Sequence, residues 1–314
     1  DANSIDKKNV KTALMTKPVR TSSGVVNIAV MWLGEDNYSC PFDCIFCPQG
    51  SAKFKNVPKS YTGTEPTTMR AMRNNFDPYK QVTNRLKQLK FTGHPTDKCE
   101  LIIMGGTFMS WKKENRENFI KGCFDAFNVK DSPNLEESQK MNETTSNRVI
   151  GLTIETRADY CNDKHIEEML RYGTTRVEVG VQTTDDELQK EIVRGHDCQK
   201  NKDAFALLKK AGLKITAHWM PGLTGLKKFD LQKEIDTFKE LFINPEYRPD
   251  ELKIYPTLVI PGTVLHDKWK KGEYTPLTEE KMIELLIELK KHIPRYVRVK
   301  RIMRDISEHA VDAG

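Results

Sequence analysis

The chain has 314 residues, enough to bury one large core or two ordinary ones, and its composition is that of a globular protein. Lys and Arg number 50 against 44 for Asp and Glu, a formal charge of +6 that mildly favours anionic partners without naming one. Seven cysteines, three of them crowded together, exclude the disulfide framework of a small secreted domain and fit a reducing cytosol.

The opening "DANSIDKKNVKTALM" lacks the apolar core of a signal peptide and begins with Asp, as a trimmed piece of a longer protein would. Residues 1–20 read as a basic arm carrying Lys7, Lys8, Lys11, Lys17 and Arg20. The most apolar run, "VVNIAVMWL" from Val25, is less than half of the ~20 residues a membrane span requires, so no membrane contact and a cytoplasmic location are expected. That run reads as the first strand. A loop with Cys40, Cys44 and Cys47 follows it, with Lys53, Lys55 and Lys59 behind. Further strand-like runs are "CELIIM" from Cys99, "VIGLTI" from Val149, "RVEVGVQ" from Arg176, "LKITAHWM" from Leu213 and "LKIYPTLVI" from Leu252, each separated by helical patterns. Six repeats of strand then helix predict an α/β fold with a parallel sheet. Residues 129–148 are polar and aperiodic and read as a surface loop inserted in one unit. The last helix has Thr278 as N-cap, Glu279 and Glu280 in its first turn, and Met282, Leu285, Leu286 and Leu289 on one stripe. From Leu289 to Arg304 there are seven Lys or Arg and no acid, a strip suited to phosphates; 307–314 is a short tail.

Strand periodicity points to a cavity. Val177, Val179 and Val181 share one face, and Glu178, Gly180 and Gln182 the other; Ile150, Leu152 and Ile154 oppose Thr153 and Glu155. With the apolar faces against helices, the polar faces enter an interior normally filled by branched apolar side chains. The alternative is two-sided burial with Glu178 and Glu155 paired to Arg157 or Arg176. The segments "GGT", "ETR", Gln182 and "PGLTG", like the cysteine loop, all fall at carboxyl ends of strands, the rim where parallel βα architectures build active sites.

Cys40, Cys44 and Cys47 wrap three thiols around one point. A structural zinc site wants four ligands, usually in two pairs; a four-iron, four-sulfur cluster held by three thiolates leaves one iron open for chemistry. Cys99, Cys123, Cys198 and Cys161 read as small buried residues. The C-x3-C-x2-C pattern, with Phe46 before the last cysteine, resembles the signature of radical S-adenosylmethionine (SAM) enzymes. That resemblance implies a 4Fe-4S cluster on Cys40, Cys44 and Cys47, SAM on the open iron, and a partial TIM-like (βα)6 barrel over residues 21–306.

Longer stretches, among them "SYTGTEPTTMRAMRNNFDPY", "IIMGGTFMS", "GLTIETRADYC", "YGTTRVEVGVQT", "AHWMPGLTG", "RPDELKIYPTLVIPGT" and "RDI", resemble the radical SAM domain of the catalytic subunit of Elongator, from about Lys17 to Ile306. That family places a carboxymethyl-type group on carbon 5 of the tRNA wobble uridine, with acetyl-CoA as the carbon source. The resemblance implies that Gly105, Gly106 and Thr107 contact the SAM amino group, that Glu155, Arg157, Glu178 and Gln182 line the cavity, and that Pro221 and Gly222 shape the adenine pocket. It also implies contacts from Lys253 and Tyr255 to SAM or the acyl donor, the tRNA anticodon region as substrate, and a homodimer or Elongator-type partner subunits. Departures include a three-residue first gap in the cysteine motif, "CPQG" for "CPGG", Val193 for Asn and Pro261 for Arg. The family's acetyltransferase-like domain is not met after "RDI". Two other readings remain: radical SAM chemistry on a different substrate, and an RNA-binding or scaffold chain with a structural metal.

Overall fold

The computed structural model describes residue 10 and residues 14–50, 55–226 and 228–314; Lys7, Lys8, Lys11 and Lys53 of the basic zones lie outside the described residues. After a short 3-10 turn at Pro18–Thr21, strand β1 (Val26–Met31) leads into the cysteine loop, then helices α1 (Pro66–Arg73) and α2 (Pro78–Phe91). Next come β2 (Lys98–Met104), α3 (Lys113–Asn128), α4 (Leu135–Asn142), β3 (Arg148–Thr156), α5 (Asp163–Arg171) and β4 (Arg176–Gln182). The second half holds α6 (Asp186–Glu191), α7 (Cys198–Lys210), β5 (Lys214–Trp219), α8 (Leu231–Ile243), β6 (Glu251–Ile254), α9 (Val264–Lys270), α10 (Glu279–Lys291) and β7 (Arg298–Ile302).

The helices start where short polar side chains cap free N–H groups. Asp77, Asn134, Asn162, Asp197, Asp230 and Thr278 each accept from the backbone N–H three residues on, a contact worth about 1 kcal/mol apiece. All six neighbouring strand pairs are parallel, in the order β1-β2-β3-β4-β5-β6-β7. Among the described residues β1 pairs only with β2 and β7 only with β6, so the sheet is an open half-barrel with a seam. One cavity touches all seven strands, through Asn27, Ile102, Glu155, Glu178, His218, Lys253 and Lys300, which requires the sheet to curl around it. On the convex side Ile28, Val30, Leu101, Ile103, Leu152, Ile154, Val177, Val179, Ile215, Leu252 and Ile254 are buried under the helices.

Three expectations need correction, and one alternative fails. The sheet has seven strands, because Arg298–Ile302, read as a basic strip, is β7. The segment 129–148 contains helix α4, whose buried positions Ser138 and Asn142 are polar and therefore invisible to apolar periodicity. Ile150 is not on the core stripe: between Cys99↔Val149 and Glu100↔Gly151 the register shifts, leaving Ile150 the extra residue, 44% exposed. Glu178 and Glu155 do not pair with Arg157 or Arg176. Arg176 instead binds Glu100 and Glu251 one layer down, where Thr153 and Thr216 also donate to those carboxylates at 2.9 and 2.7 Å. This charged layer floors the half-barrel and leaves the space above it open. Among the described residues no helix is long and apolar enough to cross a membrane.

Candidate active site

The cysteine loop is folded against β2 and α6 by its backbone. Thr107 N–H donates to Ser39 O at 3.2 Å, Ile45 N–H to Ile192 O at 3.1 Å, and Lys59 N–H to Ser39 Oγ at 2.8 Å. Gly105 and Gly106 have φ of +124° and +87°, and a Cβ would lie 2.7 Å from Trp32 O at the first and 2.9 Å from Ser39 O at the second. Both glycines thus make room for protein backbone, which lets the loop reach the sheet. Thr107 Oγ1 sits 3.1 Å from Cys40 Sγ.

Cys40, Cys44 and Cys47 line one void of about 100 Å³ together with Gly106, Thr107, Glu155, Arg157, Glu178, Gln182, Arg194 and His218. All seven cysteines are free; Cys99, Cys123, Cys161 and Cys198 are buried as expected. Burial, and then the neighbouring Cys44 and Cys40, push the Cys47 thiol up to about 12. Arg157 Nη1 and Arg194 Nη1 point at Cys44 Sγ from 3.6 and 3.5 Å. Arg157 is fixed by Asp159 at 2.9 Å and by the Phe42 ring, whose centroid is 3.5 Å away; Arg194 donates to Gly180 O at 2.5 Å. A Cβ on Gly180 would lie 2.6 Å from Arg194 Nη2, so the glycine admits this guanidinium.

A second void of about 340 Å³ shares Phe46, Ser60, Tyr61, Glu155, Glu178, Gln182 and His218 with the first and extends to Lys253, Tyr255, Lys300, Arg301 and Arg304. At its centre Glu178, fully buried, contacts Lys253 Nζ, His218 Nε2 at 3.0 Å and Lys300 Nζ at 3.7 Å. Burial raises the Glu178 carboxyl, but the Lys253 charge and the His218 contact outweigh it and hold it well below the usual range. Burial lowers Lys253, and Glu178, Tyr255 and Glu155 more than reverse that. Tyr61 Oη donates to Glu155 Oε2 at 2.9 Å. Arg304 donates to Ser60 Oγ at 3.2 Å and faces the rings of Tyr61 and Tyr255 at 5.3 and 5.6 Å. Gln182 has φ +70° beside a register shift at the end of β4, and its Oε1 and the Glu178 Oε1 are buried without a hydrogen-bond donor.

The structure therefore brings together Cys40, Cys44, Cys47, Gly106, Thr107, Glu155, Glu178, Gln182, Lys253 and Tyr255. Arg157 borders only the void at the cysteines, and Gly105, Pro221 and Gly222 line neither void; Met220, Leu258 and Ile260 form the wall beside the last two. Pro221 O is occupied by Thr257, and Gly222 N–H by Glu234 at 2.9 Å. His218, Arg194, Lys300, Arg304 and Tyr61 were not among the sequence candidates as site residues. His218 could have been found by its period-two relation to Thr216 on β5.

A family model described as the Radical SAM superfamily matches residues 37–238, and one described as the Radical_SAM C-terminal domain matches 249–314. The chain belongs to the radical SAM superfamily. It is 50% identical over 311 residues, 98% of this chain and 56% of the relative, to tRNA uridine(34) acetyltransferase of Methanocaldococcus jannaschii. It is 41% identical over 315 residues, 98% of this chain and 56% of the relative, to human Elongator complex protein 3. Archaeal Elp3 of Methanocaldococcus infernus with an N-terminal deletion superposes with a TM-score of 0.77 at 42% identity, covering 93% of this chain and 59% of that one. The chain thus spans a little over half the length of these relatives.

The radical SAM family implies a 4Fe-4S cluster and SAM, and the residues fit both. Three unpaired thiols border one void, with two guanidinium groups at Cys44, a donor set suited to a cationic iron centre. The two buried acceptor oxygens without donors, on Glu178 and Gln182, stand beside that void, where hydroxyl groups of a nucleoside would satisfy them.

Proposed function

We propose that this chain is the radical-generating part of an enzyme that modifies carbon 5 of the wobble uridine of tRNA, with acetyl-CoA as the carboxymethyl source. The observation that carries the reading is the pair of adjoining voids, one bordered by the three cysteines and the other by polar groups of all seven strands. The names of the archaeal and human relatives support tRNA and Elongator-type partners for it. Cys40, Cys44 and Cys47 would hold the cluster, which with bound SAM supplies a 5′-deoxyadenosyl radical. Glu178 and Gln182 orient the nucleoside by accepting from its hydroxyls. Lys253 and Tyr255, with Tyr61 and Glu155, present hydrogen-bond donors and acceptors to the acyl group and the uracil in the larger void. A loop nucleotide is the fitting substrate, because its base leaves the stack at small cost.

The test is anaerobic reconstitution of the chain with iron and sulfide, then assay of 5′-deoxyadenosine release with SAM and a reductant. Release that rises with tRNA and acetyl-CoA, together with carboxymethylated uridine in the digested tRNA, is expected. Cys44→Ala should abolish release. Release stimulated by another substrate class and indifferent to tRNA would overturn the assignment, and bound metal with no turnover would favour the scaffold reading.

A further inference from the structure

The open seam between β1 and β7 has two banks. On the β7 bank, Lys300 is engaged by Glu178 and Glu251, Arg301 by Asp305 at 2.8 Å, and Arg304 by Ser60 and two tyrosines. The β1 bank differs. Arg20 lies in the 3-10 turn before β1, Arg70 in α1 and Arg85 in α2, and among the described residues none of them has a carboxylate partner. Arg70 Nη2 donates only to Thr67 Oγ1 at 3.1 Å, and Arg85 Nη1 to Gln88 Oε1 at 3.3 Å. Arg85 Nε is buried with no acceptor among the described residues.

These three groups come from separate elements that the fold fixes together. Gln81 of α2 bonds both the N–H and the C=O of Met31 at 2.9 Å, which sets Arg85 one turn along against β1. Asn74 ties the two helices together, its Nδ2 donating to Arg70 O at 2.7 Å and its Oδ1 accepting from Asn84, the neighbour of Arg85, and Thr21 Oγ1 meets His94 Nδ1 at 2.9 Å, holding the turn that carries Arg20 beside the end of α2. Burial, then the charges of Arg85 and Arg20, push Arg70 down to about 10. Two partly desolvated like charges, with the exposed Arg20 beside them and no carboxylate partner among the described residues, are a cost to the fold. An oxyanion with several acceptor oxygens would reverse it, since guanidinium forks match phosphate. The neighbouring residue decides where such an anion would lie: Thr67, which Arg70 contacts, is on the wall of the larger void with Pro66, Asn27 and Ala29.

We propose that Arg20, Arg70 and Arg85 form a phosphate-binding site on the β1 bank, holding a backbone phosphate of the RNA whose base enters the adjoining cavity. The RNA source rests on the function proposed above; the phosphate chemistry does not.

The experiment compares the wild-type chain, Arg70→Gln and the Arg20→Gln/Arg70→Gln/Arg85→Gln triple variant. Binding of tRNA is measured across a salt series, and melting temperature is measured with inorganic tripolyphosphate at low salt. Loss of one phosphate contact makes the slope of log K against log salt shallower by about 1, equally for tRNAs of different sequence. Tripolyphosphate should raise the melting temperature of the wild type and not of the triple variant. Without ligand the variants should melt no lower than wild type, because a repulsion has been removed. An unchanged salt slope with an unchanged tripolyphosphate response overturns the proposal. Loss of acetyl-CoA affinity with the RNA slope unchanged assigns the phosphate to the coenzyme and overturns the RNA source. If the wild type binds no tRNA, the proposed function fails, while the tripolyphosphate arm still decides the site.

Discussion

Replacing Lys253 by Met removes the main counter-charge of Glu178 and leaves its volume nearly filled. The Glu178 side chain is 0% exposed and that of Lys253 12%, so the pair is buried and screening by solvent is small. Deleting one partner of such a pair costs about 3–5 kcal/mol, because the remaining charge is stranded. His218 at 3.0 Å and Lys300 at 3.7 Å stay near the carboxylate, which places the expected loss at the lower end, about 3 kcal/mol. At about 2–3 °C per kcal/mol for a chain of this size, the melting temperature should fall by about 6–9 °C. The pH dependence follows from the two shifts. Glu178 is depressed below its ordinary 4.5, so its contribution is full above that value and is lost as pH falls through the folded pKa. Lys253 is raised above its ordinary 10.5, so its contribution is full below that value and is lost as pH rises through the folded pKa. The destabilisation should therefore be flat from about pH 5 to pH 10 and shrink outside that window. Urea titrations of wild type, Lys253→Met, Glu178→Gln and the double variant give the coupling directly, and about 2 kcal/mol is expected. A loss under about 1 kcal/mol at neutral pH, or strictly additive variants, would refute the account of Glu178 as a carboxylate held by Lys253.

Three further substitutions probe other links. Gly106→Ala places a Cβ 2.9 Å from Ser39 O at φ +87°, so the cysteine loop must shift; iron content after reconstitution should fall by at least half while far-ultraviolet circular dichroism is unchanged. Gln182→Ala removes one of the two donor-free acceptors, and SAM affinity measured by calorimetry should weaken about 5-fold, the worth of about one hydrogen bond. Thr278→Ala removes the contact to Lys281 N–H at the start of α10 and should lower stability by about 1 kcal/mol in urea, with 5′-deoxyadenosine release at 25 °C unchanged.

What the sequence made legible is what obeys a simple period. The β4 alternation of Val177, Val179 and Val181 with Glu178, Gly180 and Gln182 is realised, the valines under helices and the others toward the adjoining voids, Gln182 across a register shift at the strand end. The three-thiol loop and the Thr278 cap were equally readable, because each is a local pattern whose chemistry needs no knowledge of the partner. Helix α4 was hidden because Asp125, Asn128, Ser138 and Asn142 hold it through side-chain hydrogen bonds of 2.6 and 2.8 Å. Its one local signal was Asn134 followed by Glu137, the start of a capped helix.

Strand β7 failed for a deeper reason. Arg298, Lys300 and Arg301 look in sequence like a solvated basic face, since the chain from Leu289 to Arg304 supplies no acid. The acids that receive Lys300 are Glu178 and Glu251, on β4 and β6, and the closing of the sheet alone brings them within 3.7 and 3.3 Å. A local window cannot distinguish a lysine that neutralises a buried carboxylate from one that waits for a phosphate; the difference is made by partners far along the chain. The same distinction separates the two banks of the seam. On the β7 bank Lys300 is spent within the barrel and holds its polar interior together, while Arg20, Arg70 and Arg85 have no acid to meet among the described residues and keep their charge for a ligand.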